Sequence, residues 1–277
     1  MPIPPTTAAS MSTIQKSISS TLLACLAAAC APNGEAPLRT TRAPVDAAPA
    51  NQLVVSGNAC GPAALVNSFR FADERWQAAK LAIDGETDRG RIFTIIRRHG
   101  MRPSPHLGDR PRWSRSGVSV IDLADMANEI NATTGLPAVR HEVLVTRTGE
   151  SPARQLARTQ RRIHASLANG FPPILSIRRF ALRENDRDTR EWIAIDSHFV
   201  TITHAPRRIP RRSKEFTIRY IDPWGAQRDE GRIHVSDALL TAVPFPEARF
   251  PEANVGRDRL QSGEETILVA SAVIGYW

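Results

Sequence analysis

Ser56-Gly57-Asn58-Ala59-Cys60-Gly61-Pro62-Ala63-Ala64-Leu65 sets a lone cysteine between a turn and an apolar helix. Ser-Gly-Asn is turn chemistry. Pro62 suits the first turn of a helix, where its missing N–H costs nothing. Ala64, Leu65, Ser68, Phe69 and Ala72 then recur on one face at helical spacing. The thiol therefore stands at a helix start, where free backbone N–H groups and the helix dipole favour negative charge. The thiolate is the reactive form of cysteine, and Gly61 is expected to leave the backbone open to a substrate. A cysteine that serves only as a small apolar residue has no need of that position.

The 277-residue chain carries 36 Lys and Arg against 28 Asp and Glu, a net charge of +8, and only Lys16, Lys80 and Lys214 are lysines. A basic balance points to anionic partners in general. The arginine pairs, Arg161-Arg162 and Arg207-Arg208 among them, are dispersed and not interleaved with aromatics, so no nucleic acid is expected. The N-terminus reads as an export signal. Lys16 supplies a positive charge, residues 18–29 are apolar or small, and Cys30 follows three alanines. The apolar run is too short to span a bilayer. Leu-Ala-Ala-Ala-Cys at 26–30 resembles a bacterial lipobox, which makes Cys30 the expected site of lipidation and membrane anchoring. Residues 1–30 are thus expected as the signal, 31–50 as a flexible linker rich in Pro, Ala and Thr, and 51–277 as the folded domain. The expected location is the periplasm or cell envelope, with an outer-membrane lipoprotein as the anchored form. With Cys25 and Cys30 set aside, Cys60 has no disulfide partner. A leftover cysteine in an exported chain points to an intermolecular bridge or a reactive thiol.

Helical spacing continues over 73–83, 88–98 and 120–130, with a Pro- and Gly-containing loop at 101–117. Beyond residue 135 the period changes. Residues 153–168 are helical with Gly170 as the stop. Strands are expected at 141–147, 174–180, 192–195, 199–203, 216–221, 232–235 and 267–274. Helices first and strands second predict an α+β fold. Its N-terminal helical lobe carries the cysteine helix, and its C-terminal antiparallel sheet follows.

A cysteine nucleophile needs a base, usually histidine, held by a third polar group. His99, His106, His141, His164 and His234 read as surface positions. His198 differs: it opens the strand His-Phe-Val-Thr-Ile-Thr-His, and its distance from Cys60 falls in the papain-type spacing of about 130–150 residues. His204 ends the same strand, about 20 Å further along, and ranks second. Asp222, in Ile-Asp-Pro-Trp-Gly, ends a strand in a turn, where its carboxylate can accept from the imidazole. Trp224 is expected to shield that contact from water. For an oxyanion, the Cys60 N–H is one donor. Gln52 is the first choice for a side-chain donor and Asn58 the second, although Asn58 alternatively caps the helix. No metal-ligand spacing or phosphate loop occurs, so no cofactor is expected.

Four stretches in this order, Asn-Ala-Cys-Gly-Pro at 58–62, Asn-Gly-Phe-Pro-Pro at 169–173, Ser-His-Phe-Val at 197–200 and Ile-Asp-Pro-Trp-Gly at 221–225, carry a family resemblance. The chain resembles the C39-like branch of the papain-fold cysteine peptidases over roughly residues 52–225. The resemblance implies a papain-like fold with Cys60 as nucleophile, His198 as base and Asp222 as the acid that orients it. Gln52 resembles the family's oxyanion glutamine, with a longer gap to the cysteine than usual. The implied activity is that of an exported cysteine peptidase or amide hydrolase acting on a peptide or protein through a thioester. The alternatives are a papain-fold acyltransferase of transglutaminase-like chemistry and a non-catalytic envelope binding module.

Overall fold

Helix α1 (Cys60–Phe71) is buried along its whole length, polar residues included. Ala63, Ala64, Leu65, Val66 and Phe69 fill the core around it, and Leu65 and Phe69 are fully buried. Each such side chain contributes on the order of 1.5–3 kcal/mol. Asn67 lies within the same core, and its amide is fully used: Oδ1 accepts from the Ala50 N–H at 2.7 Å and Nδ2 donates to the Ala50 carbonyl. Arg70 donates to the Ala48 carbonyl at 2.8 Å and pairs with Asp88. The segment before the helix is therefore strapped across it.

The computed structural model describes residues 39–83, 85–184, 189–236 and 245–277. The expected signal at 1–30, with Cys25 and Cys30, lies outside these residues. The expected linker at 31–50 is corrected from residue 40 onward. Strand β1 (Thr40–Arg42) pairs antiparallel with the end of a later strand, Thr40 opposite Pro206, and Ala50 is fully buried. Proline and alanine composition suggested a tether there, but buried backbone needs partners, and Asn67 and Arg70 supply them.

Around α1 stand α2 (Glu74–Ala82), α3 (Asp88–Ile95), which widens into a π turn over Ile96–Gly100, and α4 (Val120–Thr133). Asp73, Thr87 and Ser119 cap the three helices with their side chains. The loop expected at 101–117 contains a small hairpin, β2 (Trp113–Ser114) and β3 (Gly117–Val118). Strand β4 (Arg140–Val143) leads into α5 (Pro152–Ala168), with Pro in its first turn and Gly170 in the left-handed region just beyond it. No helix among the described residues is long and apolar enough to cross a membrane.

The rest is one antiparallel sheet: β5 (Ile174–Glu184), β6 (Arg190–Pro206), β7 (Glu215–Asp222), β8 (Gln227–His234), β9 (Glu247–Arg249) and β10 (Thr266–Gly275). Each strand pairs with the next, and β10 returns to β5, so the six close into a ring. Closure leaves no free edge within the ring, and β1 and β4 add to β6 and β10 from outside. The strands expected at 192–195 and 199–203 are one strand. Asp196 and Ser197 interrupt the apolar pattern, yet their backbone stays paired with Arg179 and Arg178, and the register shift falls beside them. A second apolar core joins Ile177, Val200, Ile202 and Ile218 of the ring to Leu156 and Ile163 of α5.

The hairpin is seated on the start of α1. The Asn58 N–H donates to the Arg115 carbonyl at 2.9 Å, and the Trp113 indole donates to the Asn58 carbonyl at 3.0 Å. A Cβ on Gly61 would lie 2.4 Å from Val118 Cγ1. Gly61 is thus required by the packing of β3, which corrects the expectation that it leaves room for a substrate. Valine is stiff about its first torsion, so the clash is not relieved cheaply. Gly61→Ala is expected to lose about 1–3 kcal/mol of stability despite alanine's better helix propensity. In the Val118→Ala background the same substitution should cost little. Urea unfolding of the four proteins of the cycle measures this, and an undiminished cost in that background would refute the packing account.

Candidate active site

The site follows from one contact between helix and strand. Thr201 Oγ1 on β6 donates to the Ala64 carbonyl on α1 at 2.9 Å, fully buried. One helical turn back from Ala64 is Cys60. Three residues back along β6 is His198. Thr201 is also paired with Ile221 on β7. Continuing that antiparallel ladder by one residue sets Asp222 beside Val200, on the face His198 shares. Helix, strand and neighbouring strand thus each deliver one residue.

The three meet. His198 Nε2 lies 2.7 Å from Asp222 Oδ1, with side-chain exposures of 5 % and 3 %. Cys60 stands close enough to the same ring for its sulfur to act on the imidazole's titration. With Nε2 engaged by the carboxylate, Nδ1 is the nitrogen left for sulfur. Cys60 is a free thiol, buried at 2 % exposure. It is the first residue of α1, whose opening N–H groups have no intrahelical acceptor. Ala59 holds the N-cap position and no side chain caps this helix, so Asn58 is not its cap.

Asp222 Oδ1 also accepts the Trp224 N–H at 2.8 Å. Trp224 is 42 % exposed as a residue, and this main-chain hydrogen bond ties it to the carboxylate. The Asp-Pro-Trp-Gly turn is tied in turn to the segment before α1. The Gln52 N–H donates to the Pro223 carbonyl at 2.8 Å, and the Gly225 N–H donates to Asn51 Oδ1 at 3.2 Å. Gln52 opens a short 3-10 turn (Gln52–Val54) and is itself 2 % exposed. Its Oε1 is buried without a hydrogen-bond partner, so that end of the amide serves no structural contact. Asn58 is half-buried, its backbone is committed to Arg115 and Trp113, and its side chain lies beside Gly117. The role of Asn51 as the joint between the two turns was not signalled by any motif.

Four of the other histidines have structural partners. His99 pairs with Glu129 at 2.8 Å, His106 with Asp125 at 2.8 Å and His234 with Glu247 at 3.3 Å. His164 bonds Thr41 at 3.0 Å, while His141 is an exposed residue of β4. His204, the second choice as base, lies past a bulge in β6. Burial, with Arg219, Arg42 and Arg228 around it, holds its ring below the usual histidine range. The loop at 183–190, which the sequence offers together with 101–117 as a border of the cleft, has residues 185–188 outside the described ones.

Burial disfavours a charged His198 ring, but the Asp222 carboxylate and a Cys60 thiolate outweigh it and push the imidazole from 6.5 up to about 10. The Asp222 charge reaches further. After burial, which acts first, it contributes to raising both Tyr220 and Asp229. A base whose folded-state pKa is raised stabilises the fold fully below its unfolded value, near 6.5. That stabilisation is lost as pH climbs towards about 10. Asp222→Asn keeps the shape and removes the charge. It is expected to bring the His198 titration, followed by NMR of the ring, down towards neutrality, and to move the alkaline loss of stability to lower pH. An unchanged midpoint would show that Asp222 is not the cause of the shift. A scan against protein-family models finds no match to this chain, and no curated protein matches it.

Proposed function

We propose that the protein is a cysteine peptidase or amide hydrolase on a papain-like fold, with Cys60 as nucleophile. The observation that carries this reading is the buried His198–Asp222 pair gathered with the Cys60 thiol at the start of a buried helix. A structural cysteine needs neither an imidazole beside it nor a carboxylate behind that imidazole. The closed antiparallel ring packed on a central helix supports the papain-like assignment, since it brings the three residues from the expected elements in the expected order.

The steps are those of acyl transfer. The Cys60 thiolate attacks the substrate carbonyl carbon and a C–S bond forms. The Cys60 N–H and the Gln52 amide hold the oxyanion. The His198 imidazolium gives its Nδ1 proton to the leaving amine, and the C–N bond breaks to leave a thioester. Neutral His198 then takes a proton from water as the water attacks, the C–S bond breaks and the carboxylic acid departs. Asp222 holds the ring in one orientation throughout and stabilises its cationic form. We infer from the signal-like N-terminus, with Cys30 in a lipobox-like context, that this chemistry belongs in the cell envelope.

Cys60 is expected to be alkylated by a small thiol-directed electrophile at neutral pH at least about tenfold faster than a model thiol. His198→Ala should remove that advantage. An inert Cys60 in the folded protein, or labelling indifferent to His198, would defeat the reading. A separate expectation concerns the oxyanion. Once a peptide substrate is found by screening, Gln52→Ala should lower kcat by about 10²–10³ and leave alkylation intact, because alkylation forms no oxyanion. Asn58→Ala should stay within a few-fold of the parent. If instead Asn58→Ala is the damaging change, the two assignments are reversed. Products formed with an added amine separate hydrolysis from acyl transfer.

A further inference from the structure

The arginine pairs that are dispersed in sequence are gathered by the fold. The turn between β6 and β7 carries Arg207, Arg208, Arg211 and Arg212, and α5 opposes it with Arg161. All five are exposed, as is Lys214 at the end of the turn, and none has a carboxylate partner among the described residues. Other arginines are engaged. On α5 itself, Arg158 and Arg162 are taken up by Glu142 and Glu150. The unpaired cations are thus the ones left facing outward.

The two halves of the patch are held in place. Gln160 Nε2 on α5 donates to the Pro206 carbonyl at the root of the turn at 2.7 Å, and this contact is buried. A second turn bond runs from the Ser213 N–H to the Pro210 carbonyl at 3.0 Å. Between helix and turn lies a cavity of about 420 Å³, with Arg161, His164, Arg207, Arg208 and Arg211 around it and Ile209 contributing an apolar wall. Burial first, and Arg207 second, keep His164 below the ordinary histidine range.

The polypeptide enters the described fold at this same place. The Arg207 N–H donates to the Arg39 carbonyl at 2.7 Å, Thr40 pairs with Pro206, and Thr41 bonds His164. Arg39 adds another exposed cation at the rim. Only residues 31–38 separate it from Cys30 and the apolar run before it. We propose that the face formed by α5 and the β6–β7 turn docks on an anionic phospholipid surface, its arginines receiving the headgroup phosphates. Charge complementarity and the point at which the chain enters favour this occupant over a nucleic acid, because a short segment from a lipid-anchored cysteine would hold this face, and no other, close to the headgroups. His198 is nine residues back along β6 from Arg207, up to about 30 Å of strand, so docking leaves the catalytic residues clear of the bilayer. The proposal stands without the catalytic reading.

The full chain should be sedimented with vesicles of phosphatidylcholine alone and of phosphatidylcholine mixed with phosphatidylglycerol, at low and high salt. Stronger binding to the mixed vesicles, weakened by salt, is expected. The variant Arg207→Glu/Arg208→Glu/Arg211→Glu should bind them at least about 100-fold more weakly. The control Arg89→Glu/Arg97→Glu/Arg110→Glu makes the same change in charge at exposed positions of the helical lobe and should bind nearly as the parent does. Thermal unfolding and Cys60 alkylation verify that each variant is folded. Equal binding to both vesicle types, or equal losses in the two triple variants, overturns the proposal. So does a DNA duplex that strips the parent protein from the mixed vesicles at concentrations comparable to lipid.

Discussion

The contact between α1 and β6 is what the rest of the molecule arranges itself around. A helix buried on every side gains from each partner found for a polar group it carries inward, because an unsatisfied group there costs about 1–3 kcal/mol; Ser68 Oγ is buried without one, and the other inward side-chain groups are met. Thr201 meets the Ala64 carbonyl, Ala50 meets Asn67 on both edges of its amide, and Ala48 meets Arg70. These bonds set the helix at one rotation and one height against the strand. The position of Cys60 relative to His198 follows from that setting. The apolar surroundings supply most of the free energy, and the polar contacts supply the register.

Burial also explains how a histidine–carboxylate pair can have a large electrical effect. On a surface, such a pair is worth little. With side-chain exposures of 5 % and 3 %, solvent screens it weakly, and removing one partner would leave the other charge uncompensated. The Asp222 carboxylate is not left to the imidazole alone, since the Trp224 N–H shares it. The turn that provides this N–H is pinned by Asn51 and by the Gln52 backbone. The candidate oxyanion glutamine and the acid behind the imidazole are thus mechanically one unit, despite lying 170 residues apart in sequence.

Much of this was legible before any coordinates. Pro62 and the apolar period placed Cys60 at a helix start, the His-Phe-Val-Thr stretch singled out His198, and the Asp-Pro turn singled out Asp222. These are local signals, carried within a few residues. What was not legible depends on distant partners. The stretch from Thr40 to Ala50 has no periodicity of its own and is held because β6 and α1 offer it hydrogen bonds. The continuity of β6 through Asp196 and Ser197 is decided by β5 pairing, which hydropathy does not record. Closure of the ring rests on β9, a strand of three residues too short to give a pattern. Gly61 looked like access for a substrate and is instead space for Val118, a neighbour known only once the hairpin is placed.

The same division applies to charge. Arginine is abundant throughout the chain, and counting it says little, because the interior uses several as hydrogen-bonding struts. Arg70 closes the strap over α1, Arg112 binds Glu129 under the hairpin, and Arg158 joins Glu142 to Glu150. An arginine so placed is neutralised and contributes nothing to the field at a distance. The net charge of +8 must then be expressed by the arginines that are left over, and location decides whether they act together. Five on two elements separated by one small cavity reinforce one another, and unpaired like charges this close repel. Such repulsion is a cost to folding, and a fold that holds the two elements together through Gln160 has a use for the field only when an anion stands in front of it.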